Sequence, residues 1–207
     1  MITLFFMRHA ESKANRNRTL ASQTDVSITP QGMEAAYNIS REFLKDIKLT
    51  GIISSPQLRA CQTANPFEKM SGLKVEIDKS ISEQHLGRFT GMSYDAVKLD
   101  PAYEKDVTKR WNWIPEGGGE SYKMLASRIT PFFERFKNLD DNSNYFIVSH
   151  AVTLRIIKGL LENTLPLYPE KIANNGEIWQ VDFKGLGTKH IIKSLFYGNS
   201  ASMVHNP

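Results

Sequence analysis

Four side chains suited to gripping and attacking a phosphate follow short apolar runs of this chain. Arg8 and His9 come directly after the run at 2–7, Arg59 lies just past GIIS at 51–54, and His150 follows YFIV at 145–148. A guanidinium is always charged and holds phosphate oxygens through a planar fork. Neutral imidazole is a nucleophile toward phosphorus, and protonated imidazole binds the anion. Phosphoryl transfer needs an in-line nucleophile, clamped equatorial oxygens and a proton for the departing oxygen. His9 suits the first role and Arg8, Arg59 and His150 the second. Glu83, in a polar loop, is the best candidate for the third. Each residue alone has an ordinary reading: a polar loop for Arg8-His9, a packed strand-end residue for His150, a solvated acid for Glu83. Their coincidence at strand ends carries the functional one, because ligands of open α/β sheets bind outside the carboxyl ends of the strands.

The elements that must position these residues alternate. Residues 2–7 read as a buried strand. Thr29 and Pro30 read as the N-cap and first position of a helix, with Met33, Ala36, Tyr37, Phe43, Leu44 and Ile47 as its apolar face. Residues 51–54 form a second strand, and a helix opens at Pro56 and Gln57 that Pro66 should end or kink. A third strand at 74–77 leads into a polar loop at 78–91. Ser93 caps a short helix closed by Pro101. Gly117, Gly118 and Gly119 mark a turn before an amphipathic helix over 121–138. A strand at 145–148, a helix at 152–161, two late strands at 178–183 and 189–195, and a loose tail from Tyr197 complete the pattern. No repeat, low-complexity tract or linker interrupts it. The alternation therefore predicts one α/β domain with a largely parallel sheet.

Bulk properties narrow the function. The 207 residues suffice for one sizeable core. Cys61 is the only cysteine, so neither an internal disulfide nor a thiolate metal site can form; a reducing, cytoplasmic setting is expected. The first apolar run is too short for a signal sequence or a membrane span, and no membrane association is expected. A net charge of +4 and a pI of about 9.1 suit an anionic ligand, but the basic residues are scattered, so no nucleic-acid surface is expected. The sequence shows no carboxylate cluster or zinc spacing.

The motifs are similar to those of a known family. MRHAES, with Arg8, His9 and Glu11, followed by Asn15, resembles the signature of the histidine phosphatase superfamily and its phosphoglycerate mutase-like branch. DVSITPQG at 25–32, SSPQLRACQTA at 54–64, EQHLGRFTG at 83–91, GGGES at 117–121 and VSHA at 148–151 resemble further family blocks in the same order, across nearly the whole chain. The resemblance implies a three-layer α/β/α sandwich, mostly parallel, with one antiparallel strand. It implies that His9 forms phosphohistidine, that Arg8, Arg59 and His150 bind the phosphoryl group, that Asn15 adds a neutral donor, and that Glu83 protonates the leaving oxygen and then helps activate water. It implies no metal and no cofactor.

The chain also departs from the family pattern. Ala10 and Ala151 stand where glycine usually follows each histidine, adding a methyl near the phosphate and disfavouring positive φ. Ala151 is still expected among the phosphate-binding positions. Ala14 replaces a mutase tryptophan, and Thr90 a common phosphatase glutamate. The mutase branch usually carries a longer insert where residues 94–119 lie here, and its adjacent arginine pair is absent. Hydrolysis of a small-molecule phosphate monoester is therefore favoured over mutase-type phosphoryl transfer; a catalytically silent phospho-ligand binder is the remaining alternative. Residues 94–119 are expected to form a cap, with Tyr94, Trp111 and Trp113 reading the leaving group or serving as core. Arg16 and Arg18 either extend the positive field or face solvent. A homodimer is possible, although nothing in the sequence specifies an assembly.

Overall fold

The computed structural model describes residues 1–137, 139 and 142–195. The strands are β1 (Ile2–Arg8), β2 (Gly51–Ser54), β3 (Val75–Ile77), β4 (Asn144–Ser149), β5 (Ile178–Phe183) and β6 (Lys193–Leu195). The helices are α1 (Lys13–Arg16), α2 (Pro30–Asp46), α3 (Leu58–Ser71), α4 (Tyr94–Leu99), α5 (Tyr122–Ile129) and α6 (Ala151–Leu161). Among the described residues the sheet order is β3-β2-β4-β1-β5-β6. Strands β1 to β4 are mutually parallel, β5 runs against β1, and β6 runs against β5. One strand, β5, thus opposes the other five, as expected.

Strand alternation divides the core in two. Leu4, Phe6, Ile53, Ile147, Trp179 and Val181 face α5, α6 and the 3₁₀ run Thr130–Phe136. Phe5, Met7, Ile52, Phe146, Val148 and Ile178 face α2 and α3. With both faces covered, the central strands are apolar on both sides, which is why they read as continuous hydrophobic runs. Phe43, Phe67 and Phe146 pack on one another on the α2–α3 side, with the Phe67 and Phe146 rings stacked at 4.0 Å.

Three local expectations are corrected. On α2 the buried stripe is Ala35, Ala36, Ile39, Ser40 and Phe43, while Met33 and Tyr37 are exposed. Ala36 and Phe43 lie on the inward face as expected, and small residues share it with Ile39 and Phe43 where α2 packs directly on α3. Helix α3 runs through Pro66 to Gly72, whose φ of 75° closes it as a left-handed cap. Pro66 is buried along with Ala60, Thr63, Ala64 and Phe67, so tertiary packing offsets its missing N–H. The long helix expected over 121–138 instead ends at Ile129 and continues as 3₁₀ turns from Thr130. Pro131 has no N–H to bond Ser127 and crowds its carbonyl. Asn138 and the tail from Tyr197 lie outside the described residues.

Candidate active site

The two histidines meet because of strand register. In the β1–β4 ladder Arg8 sits beside Ser149, so the next rung pairs His9 with His150. The His9 N–H donates to the Ser149 carbonyl at 3.0 Å, and the imidazole centroids lie 5.3 Å apart. Beyond this rung the chains diverge: β1 leads to α2 on one face, and β4 leads to α6 on the other. Adjacent strands that send their connections to opposite faces open a crevice at their carboxyl ends.

His9 is 4% exposed, and its Nδ1 lies 2.7 Å from the Ala10 carbonyl. A carbonyl only accepts, so Nδ1 carries the proton and Nε2 the lone pair. Burial, then the Arg59 and Arg8 charges, hold His9 well below the ordinary histidine pKa. His150 is held low by burial, followed by Arg59, His9 and Arg8. Its Nε2 lies 2.6 Å from Ser55 Oγ, and Ser55 Oγ also contacts Gln57 Oε1. Because Oε1 only accepts, the Ser55 hydroxyl donates to Gln57, and His150 Nε2–H donates to Ser55. His150 Nδ1 is left buried without a partner.

Both arginines are braced by backbone oxygens. Arg8 Nη1 donates to the Ala173 carbonyl at 2.7 Å. Arg59, on the first turn of α3, donates to Ser22 at 2.7 Å and Thr24 at 2.9 Å. The Nε of each is buried and unpartnered. Burial lowers both guanidinium pKa values, and Glu83 partly compensates. Asn15 accepts from Ser12 N–H, Ser12 Oγ and Asn175 through Oδ1, leaving its amide N–H groups to donate.

Glu83 reaches the same crevice. Its Oε1 accepts from the Gln84 N–H at 2.9 Å and the Thr153 N–H at 3.2 Å, on the first turn of α6. Its Oε2 has only a 3.4 Å contact with the Val152 N–H. The acid loop is clamped by Gln23, which donates to the Glu83 carbonyl, and by Arg128, which donates to Ser80 and pairs with Glu120. The block GGGES therefore works indirectly: Ser121 caps α5, and Glu120 fixes the arginine that holds the acid loop.

Arg8, His9, Asn15, Arg59, Glu83 and Ala151 line a cavity of about 520 Å³. His150 lies fully buried behind it. All of the site residues expected from the sequence thus converge. Ala10 and Ala151 are absent from the positive-φ positions, so neither alanine is strained. Tyr94 lines the cavity as expected, but the tryptophans do not. Trp113 packs on Phe89 and Tyr103, and Trp111 stacks on Tyr168. Arg16 pairs with Glu11 and Arg18 with Asp95, and neither lines the cavity. No group of three or more His, Cys, Asp or Glu side chains suited to a metal occurs among the described residues. No described helix is long and apolar enough to cross a membrane.

Sequence reasoning missed the loop before β5. Asn175 Nδ2 donates to the His9 carbonyl at 2.8 Å and reaches Asn15 Oδ1 at 3.3 Å. Glu177 accepts from Trp179 Nε1, Ser194 Oγ and the Asn174 N–H, each at 2.7 Å, and so fixes that loop. A lone NNGE stretch carries no periodic or motif signal that could have revealed this.

A model of the histidine phosphatase superfamily (branch 1) matches residues 4–190. A putative phosphoserine phosphatase 2 of Hydrogenobacter thermophilus is 33% identical over 165 residues, covering 78% of this chain and 79% of that protein. Phosphoglycerate mutase-like protein 4 of Arabidopsis thaliana is 28% identical over 193 residues, covering 86% and 83%. The solved structure of a mycobacterial glucosyl-3-phosphoglycerate phosphatase in complex with VO3 superposes with a TM-score of 0.80 at 22% identity, covering 92% of this chain and 96% of that one.

Proposed function

Because the chain belongs to the histidine phosphatase superfamily, branch 1, we propose that it is a metal-independent phosphate monoester hydrolase working through a phosphohistidine on His9. The observation that carries this reading is the 2.7 Å contact between His9 Nδ1 and the Ala10 carbonyl, from which the tautomer follows. Nδ1–H is tied to Ala10, and the Nε2 lone pair is free in a buried, cationic setting.

The steps follow from the geometry. His9 Nε2 attacks phosphorus as the bond to the leaving oxygen breaks, and Glu83 gives that oxygen a proton. Arg8, Arg59 and His150 take the charge of the equatorial oxygens, with Asn15 and the Ala151 N–H as neutral donors. The Ala151 N–H also lies at the first turn of α6, where the helix dipole favours an anion. Water then attacks the phosphohistidine, Glu83 accepts its proton, and inorganic phosphate leaves. Residues 94–119 act as a cap on one domain, supplying Tyr94, Tyr103 and Arg110 to the cavity wall.

Hydrolysis is favoured over mutase transfer because the mutase branch's adjacent arginine pair and longer insert are absent here, while relatives bearing phosphatase and mutase names both match the chain. A screen of phosphate monoesters in the presence of EDTA, with mono- and bisphosphoglycerates included, tests the reading. Release of inorganic phosphate unaffected by EDTA is expected. Net interconversion of the phosphoglycerates without release would assign a mutase instead.

A further inference from the structure

The cavity is lined by more cationic side chains than a phosphate group requires. Lys98, Lys105, Arg110, Arg155 and Lys171 line it in addition to Arg8 and Arg59, against the carboxylates of Glu83 and Glu170 among the described residues. Two of these are built into the protein. Arg155 is 6% exposed; its Nη1 donates to the Tyr122 hydroxyl at 2.8 Å and its Nη2 to the Glu170 carbonyl, while its Nε is buried without a partner. None of the ion pairs of the described residues includes Arg155 or Arg110, so both charges stand without a carboxylate. Burying a guanidinium without a counter-charge is costly, and neutral oxygens compensate only in part.

Arg110 comes to the same place from the other side. It donates through Nε to the Glu104 carbonyl at 2.8 Å and stacks 4.8 Å from the Tyr103 ring. Burial opposes its charge, and the Tyr122 and Tyr103 phenols beside it raise its pKa nonetheless. The Tyr122 N–H donates to the Arg110 carbonyl at 3.3 Å, so Tyr122 joins the segment that carries Arg110 to the hydroxyl that Arg155 holds. Arg155 lies four residues beyond Ala151 on α6, on the same helical face, which puts it about 6 Å farther along the axis.

Resting on the reading of the His9 end as the phosphate site, we propose that Arg110 and Arg155 form a second anion subsite, so that the substrate is a small phosphate monoester whose leaving group carries another anionic group one helical turn from the phosphorus. The second group is a carboxylate or a second phosphate, with Lys105 and Lys171 adding field at the rim. Its arrival supplies the counter-charge that buried Arg155 and half-buried Arg110 lack.

Rigid probes test this directly. His9→Gln, which cannot turn over, is titrated by calorimetry with phenyl phosphate, 4-carboxyphenyl phosphate and 1,4-phenylene bisphosphate. Binding of at least one para-anionic probe tenfold or more tighter than phenyl phosphate is expected. The stronger of the two identifies carboxylate or phosphate as the group read. Adding Arg155→Met or Arg110→Met should bring that ratio to within about twofold of unity, and the ratio is internal to each variant, so general damage cancels. Equal affinity for all three probes, or a ratio unchanged in both methionine variants, overturns the subsite. Phenyl phosphate hydrolysis by the unaltered protein is scored separately: its absence would sink the phosphatase reading while the binding ratio still decides the subsite.

Discussion

The imidazole of His9 donates from Nδ1 to the carbonyl of its own neighbour, Ala10, at 2.7 Å. That bond fixes one tautomer, and burial, then the surrounding arginines, keeps the ring neutral. An ordinary histidine nucleophile would be half protonated near pH ~6.5. With the pKa of His9 depressed by burial, Arg59 and Arg8, the neutral fraction persists below that point. The acid limb of kcat/KM should therefore lie below about pH 6.5 for a non-titrating substrate analogue. A limb at or above the ordinary histidine value would contradict the assignment of a neutral, pre-formed nucleophile.

His150 is expected to behave in the opposite sense once an anion arrives. Its Nε2–H is engaged by Ser55, and its Nδ1 is bare and buried. A tetrahedral dianion beside it favours protonation of Nδ1, which can then donate. Sulfate does not itself titrate near neutrality, so its binding should take up protons. Calorimetry in buffers of different ionisation enthalpy reads this: net uptake in the unaltered protein, and none in His150→Gln. Binding enthalpies independent of the buffer would rule out the proton-coupled role.

The same two histidines make the free protein acid-sensitive. Their folded pKa values lie below the unfolded value of about 6.5, so in between the unfolded chain binds more protons. Stability is therefore complete above the unfolded pKa and falls as pH drops through the window beneath it. Urea midpoints should decline on going from about pH 7 to about pH 5, and less steeply in His150→Gln. Identical slopes would show that this histidine is not buried neutral.

Gly32 matters for close approach rather than for φ. A Cβ there would stand 2.4 Å from the Glu11 carbonyl oxygen, which already accepts the Thr29 N–H at 2.8 Å. Gly32→Ala should cost about 1–3 kcal/mol, because the signature loop and the start of α2 must separate. Unchanged urea unfolding would refute the packing account.

Much of this site was legible because its parts end strands. Runs such as YFIV and GIIS identified the strands, and the residues just past them converged as expected. Thr29 and Pro30 gave the start of α2 through capping chemistry, and the observed cap bonds the Gly32 N–H. Other features depend on contacts distant in sequence and leave no local signal. Asn175 reaches His9 across 166 positions, and the Arg110–Tyr122–Arg155 arrangement joins three segments. The aromatic reading failed for Trp111 and Trp113 because large rings fill core as readily as they line cavities; Tyr103 lines the wall and Trp113 backs it. Pro66 misled because the packing of a buried helix face offsets a local cost of about 3 kcal/mol.

The central claim is a covalent one, and it has a direct test. The protein is mixed with a phosphate monoester carrying labelled phosphorus, quenched in alkali, where phosphohistidine survives, and digested. Label on the peptide containing His9, released by mild acid and absent from His9→Ala, is the expected result; turnover in that variant should fall by several orders of magnitude. Turnover by His9→Ala close to that of the unaltered protein, or label residing on another residue, would contradict the phosphohistidine mechanism.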